Sequence, residues 1–134
     1  GEQDRAAALL GEARKRYPHS RALVYAQVGA LHDGGKGKDA LDALSEPMRV
    51  YPKDAALFQL QAKCYAALGK RLLQHQAQAE VYVLQGSLPA AIEQLQLARA
   101  AGDGDFYQLS VLDPRLKELR SQHAQDLKDR DAKR

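Results

Sequence analysis

Apolar residues recur along this chain at spacings of three and four. Ala6, Leu9, Leu10 and Ala13 form one stripe, and Val24, Val28 and Leu31 a second. Phe58, Ala62 and Tyr65 form a third, and Leu88, Ile92 and Leu95 a fourth. Such spacing places each set on one helix face, so the pattern predicts amphipathic helices. Helix punctuation falls between the stripes. Ser20 is placed to cap a helix over residues 21–32, which Asp33-Gly34-Gly35 stops. The next helix starts near Lys38 and is expected to bend at Pro47, which has no amide hydrogen to donate. Asp54 caps a helix that ends at Gly69, and residues 71–85 form another, stopped by Gly86. Ser87 caps the one after, with Pro89 in its first turn, running to about Ala100. Asp113-Pro114, a cap residue followed by proline, predicts the start of the last helix. No run alternates apolar and polar residues and β-branched residues are few, so no strand is expected.

The stripes repeat with a fixed period. Tyr17-Pro18 recurs as Tyr51-Pro52, 34 residues on, and the same offset relates Ala6 to Ala40, Leu10 to Leu44 and Gly35 to Gly69. A later block, Gly86, Ala91 and Leu95, keeps the spacing of Gly35, Ala40 and Leu44 but is displaced by one and a half periods. A helix with one apolar face cannot bury it alone, and stacking on neighbours is the physical reason for such repeats. The order small, large, small, proline in Ala6, Leu10, Ala13 and Pro18 resembles the tetratricopeptide repeat. Ala40, Leu44 and Pro52 match it in part, with Pro47 where a small residue is expected, and Ala91, Leu95 and Ala98 match again. Tyr65 and Tyr82 stand where that pattern has an aromatic before the turn, and Leu31 replaces it once. The resemblance implies an all-α, right-handed helical solenoid of about six to seven helices over residues 1–120, followed by a charged tail, 121–134, expected to be disordered. The helix after Gly69 is expected to close one unit and open the next. The chain opens at the second helix of a repeat, so it is expected to be a piece of a longer protein.

Composition narrows the class. Hydrophobic residues make up 45% and charged residues 28%, a globular rather than a disordered balance. The net charge of +3 comes from 20 basic and 17 acidic residues interleaved along the chain, without the basic stripe and stacking aromatics of a nucleic-acid binder. Cys64 is the single cysteine, which excludes an internal disulfide; its apolar neighbours predict a packed thiol rather than a nucleophile. No apolar run approaches the roughly 18 residues a membrane span needs, and residues 1–4 do not read as a signal peptide.

The C-terminal half carries a narrower resemblance. Residues 79–86, Ala-Glu-Val-Tyr-Val-Leu-Gln-Gly, with Ala91-Ile92-Glu93-Gln94-Leu95, Gly104-Asp105-Phe106-Tyr107 and Asp113-Pro114-Arg115-Leu116, are similar to the periplasmic beta-barrel assembly-enhancing proteases. These are zinc metallopeptidases with a C-terminal tetratricopeptide domain, and the similarity covers about residues 55–120. It implies a periplasmic protein whose zinc-binding protease half lies outside this sequence. It also implies partners in that protease half, in outer-membrane barrel proteins and in their assembly machinery. The alternative is a stand-alone tetratricopeptide adaptor that binds peptide segments in another assembly.

No catalytic or metal-binding residue is expected in the chain itself. His19, His32, His75 and His123 form no His-Glu-x-x-His pair, so zinc and other cofactors are expected only in the protease half. Gly34-Gly35-Lys36-Gly37-Lys38 lacks the strand a phosphate loop requires and is read as a turn with solvated lysines. Gly102-Asp103-Gly104-Asp105 lacks the remaining ligands of a calcium loop and is read as a helix stop and linker. In tetratricopeptide solenoids a concave groove receives peptides. By position, that face carries Tyr25, His32, Gln59, Lys63, Gln76 and Glu80, a set suited to an extended peptide. Gly29 stands where a carboxylate-clamping repeat needs asparagine, so capture of a C-terminal carboxylate is not expected.

Overall fold

Two kinds of helix junction alternate through the first part of the chain, and both follow from the repeat. The computed structural model describes residues 1–133, in which every regular element is a helix. These are α1 (Glu2–Arg16), α2 (Arg21–Asp33), α3 (Gly37–Val50), α4 (Ala55–Ala67), α5 (Arg71–Leu84), α6 (Leu88–Ala100) and α7 (Phe106–Ala132). At the tyrosine-proline junctions the Tyr17 amide donates to the Ala13 carbonyl at 2.9 Å, and the Tyr51 amide to the Pro47 carbonyl at 2.8 Å. The chain then turns, and Ser20 and Asp54 cap the helices that follow.

The glycine junctions are closed by one recurring bond. The amides of Lys36, Lys70 and Ser87 reach back to the carbonyls of Leu31, Tyr65 and Tyr82 at 2.8, 3.0 and 2.9 Å. That closure needs a left-handed residue just before the donor, supplied by Gly35 at φ 78° and Gly69 at φ 70°. Gly86 repeats the geometry 17 residues after Gly69. The half-period displacement is therefore a real junction of the same type, and α5 lies between two of them.

Consecutive helices pack on each other, and α2 also packs directly on α4. Their apolar faces make two cores. Val24, Val28, Ala40, Leu44, Leu57 and Cys64 join α2, α3 and α4. The second core joins α5, α6 and α7 through Leu72, Ala79, Ala91, Leu95, Leu112 and Leu116, among others. Each fully buried leucine contributes roughly 1.5–3 kcal/mol, so the repeat's large apolar positions hold the stack together. Ala62 of α4 and Ala77 and Val81 of α5 are buried outside both cores, where α4 meets α5. The molecule is all-α, with seven sequentially packed helices among the described residues.

The structure differs from the sequence expectations at four places. Helix α7 starts at Phe106, not at Asp113-Pro114. Asp105 accepts from the Gln108 amide at 2.7 Å while the Gln108 side chain accepts from the Asp105 amide at 3.1 Å, a reciprocal cap that starts the helix earlier. Pro114 then lies inside α7, and Asp113 pairs instead with Arg99 at 2.7 Å. Second, the expected α1 stripe is not the buried one: Leu9 is 65% exposed and Ala7 is the residue α1 buries. Third, Ser87 stands at the start of α6, but its side chain makes no capping bond. Fourth, the segment expected to be disordered is helical to Ala132. Nothing in it breaks a helix, and Gln122 and Gln125 bond Asp126 and Asp129 one turn on at 2.8 and 2.9 Å. Residues 124–133 are exposed throughout, in keeping with their few apolar side chains.

Candidate functional site

The six groove residues do not share one surface. By its 100° steps, α4 presents Leu57 and Cys64 to the first core. Gln61 and Tyr65 stand on one flank of that buried face, and Gln59 and Lys63, about 120–200° further round, are exposed. Helix α5 turns Leu72 and Ala79 into the second core, which swings Gln76 and Glu80 toward the Tyr65 flank of α4. There they line a cleft with Phe58, Gln61 and Tyr65. The cleft continues over Leu73 to α3, where Leu41 and Met48 form its far wall. Those apolar walls were missed because sequence position identifies a buried stripe but not the flank a third helix leaves open.

Two of the six are held by side chains distant in sequence. Glu80 is clamped by Arg115 of α7, whose Nε and Nη2 donate to its two carboxylate oxygens at 2.9 Å each. Arg115 also donates to Glu118 at 2.8 Å, and the bond to Glu80 is the leading cause that raises its already high pKa. A planar guanidinium facing both oxygens is the strong form of an ion pair, and here it fastens α7 to α5. Tyr25 is half-buried, and its hydroxyl donates to Asp54. This bond to the carboxylate, followed by burial and the Asp54 charge, raises the phenol above its ordinary value.

His32 lies at the end of α2 with Nδ1 3.2 Å from Asp33. Gln59 and Lys63 make no side-chain hydrogen bond or ion pair with the described residues. Gln76 is half-buried in the cleft wall. The geometry thus splits the expected set into a cleft edge on α5, two α2 residues each bonded to an aspartate, and an exposed polar stripe on α4.

The other candidate motifs have structural work. The two acidic residues of the calcium-like loop cap different helices: Asp105 starts α7, and Asp103 accepts from the Arg71 and Leu72 amides at 2.6 and 3.0 Å, capping α5. An ideal Cβ on Gly104 would sit 2.2 Å from the Leu72 side chain, so the loop lies tightly against α5. Cys64 is fully buried, and burial pushes its thiol up, away from the thiolate form a nucleophile needs. In the glycine-lysine turn, Lys36 pairs with Asp4 at 3.1 Å. Among the described residues, no three of His, Cys, Asp or Glu gather as a metal site would require. No helix among them is long and apolar enough to cross a membrane. Comparison with protein-family models finds no match, and comparison with curated proteins finds no relative.

Proposed function

We propose that this chain is a non-catalytic scaffold that binds protein segments, and that it forms the repeat half of a periplasmic zinc metallopeptidase serving outer-membrane protein assembly and quality control. The observation that carries the scaffold reading is the recurrence of one helix closure at Leu31, Tyr65 and Tyr82. Identical closures stack helices in order, and that stacking leaves the α3–α5 cleft open across α4. Apolar walls with amides at Gln61 and Gln76 suit a peptide, which presents both side chains and backbone polar groups. The narrower assignment rests on the resemblance of residues 79–116 to the assembly-enhancing proteases. On that reading the protease half holds the zinc, and this chain docks clients and the assembly machinery.

A photo-crosslinking residue at Lys63 or at Gln76 of the full-length protein, in cells, tests both levels, with Lys128 as control. Crosslinks to barrel proteins or their assembly machinery are the expected result. Crosslinks to other proteins alone would leave the stand-alone adaptor. Crosslinks from Lys128 alone would overturn the scaffold reading of the helix stack.

A further inference from the structure

A second concavity lies at the first tyrosine-proline junction, away from the α3–α5 cleft. It encloses about 240 Å³ between the α1–α2 turn and the end of α3. That is below the roughly 300–1,000 Å³ of sites for whole small ligands, so it takes a side chain rather than a molecule. Pro18, Val24, Pro47, Val50 and Tyr51 give it a mainly apolar lining, which Arg14, His19, Ser20, Arg21 and Glu46 complete. Val50 is 48% exposed at its edge, and Tyr17, next to Pro18, is 62% exposed. Apolar surface therefore continues outward from the pocket.

The charges around this pocket are unequal in their commitments. Arg21 donates to Asp54 at 3.3 Å and lies 4.3 Å above the centre of the Tyr51 ring. Glu46, also in the lining, is held by Arg49 through two guanidinium bonds. Lys15, next along α1, pairs with Glu12. Arg14 is the exception. It is half-buried in the wall, and its Nη1 donates to the Gln27 side chain at 2.5 Å. No described carboxylate lies within 4.0 Å of it. A guanidinium has five N–H donors, so most of its donor capacity and all of its charge remain unmatched.

Resting on the scaffold reading above, we infer that this pocket anchors a large apolar side chain of a partner protein that carries a carboxylate beside it. The apolar residue enters between Pro47 and Val50, and the neighbouring Asp or Glu of the partner meets Arg14. Both halves of the motif are needed. The apolar part of the lining does not by itself fix how a lone hydrophobe enters, and one unmatched arginine is too little for a nucleic-acid backbone, which demands a run of cations.

The test is an amide chemical-shift titration of the labelled chain with three blocked pentapeptides: Ser-Phe-Asp-Glu-Ser, Ser-Phe-Lys-Lys-Ser and Ser-Ala-Asp-Glu-Ser. The first is expected to shift and saturate the amides of Val24, Val50 and Tyr51, and the other two to bind at least tenfold more weakly. Arg14→Gln should weaken the first peptide by about tenfold, the worth of one charge-assisted hydrogen bond. Val50→Glu, at the half-exposed edge of the pocket, should abolish it. Equal binding of the lysine or alanine peptide, shifts confined to the α3–α5 cleft, or indifference to both substitutions would each overturn the inference. So would concentration-dependent shifts at these amides without peptide, which would make a second copy the occupant. The Lys63 and Gln76 crosslinks read the scaffold function independently, so crosslinks with an unresponsive pocket would remove this inference alone.

Discussion

At the residue scale, single carboxylates decide where helices begin. Asp54 accepts from the Ala56 and Leu57 amides at 2.9 and 3.4 Å, from the Tyr25 hydroxyl, and from Arg21. Its side chain is only 7% exposed. Burial pushes this carboxyl up, but the Tyr25 hydroxyl, the two amides and Arg21 together outweigh it and hold it below its ordinary value of 3.8. The sign follows from linkage. A depressed folded pKa gives stability that is present in full above the ordinary value and is lost as pH falls through the folded one. Asp54→Ala is therefore expected to cost about 1–2 kcal/mol at neutral pH, and the deficit should shrink steadily below pH 3.8. Urea denaturation at pH 7 and in acid checks this; a deficit of equal size at both would show that the carboxylate is not its source. Ser20 and Asp54 were recognisable as caps because each stands next to the helix it serves. Asp103 was not, because it caps α5 from 31 residues or more away in sequence, and only the packed loop brings it there.

At the element scale, α7 shows local signals in competition. Asp113-Pro114 is a sound helix start, yet the reciprocal cap of Asp105 and Gln108 comes first in the chain and α6–α7 packing holds the helix through the proline. Pro114 is exposed, so its ring contributes no core contact to offset the missing amide. Pro114→Ala is expected to stabilise the protein by about 1–2 kcal/mol. The substitution restores a helical hydrogen bond worth part of the roughly 3 kcal/mol proline penalty, less the entropy proline removes from the unfolded chain. A thermal melt gives the answer, and an unchanged or lowered midpoint would mean that α7 uses the irregularity there. The glycine stops were readable at this scale, because a left-handed residue leaves a chemical mark in the sequence that a burial direction does not.

At the scale of the whole molecule, the two cores make the chain two packed halves meeting at α4 and α5. Packing mainly between neighbouring helices predicts that stability is partly local to each half. Leu95 is fully buried in the α5–α7 core, and Leu95→Ala should cost about 2–5 kcal/mol. In native-state hydrogen exchange the amides of α6 and the first turns of α7 should speed up more than those of α2 and α3. Equal acceleration throughout would show one cooperative unit. By itself, the sequence determined the helical class, the period, the glycine and tyrosine-proline junctions and the main buried positions of α2, α3 and α6. All of these are local: they depend on backbone angles, capping groups and the side-chain repeat of a helix, which a short stretch of chain carries within it. Only the tertiary structure decided which flank of α4 meets α5, that Glu80 belongs to Arg115 and Tyr25 to Asp54, and that Arg14 lacks a counter-charge. Those facts depend on how neighbouring helices rotate against each other, and rotation is set by the packing of both partners together, not by either stretch alone.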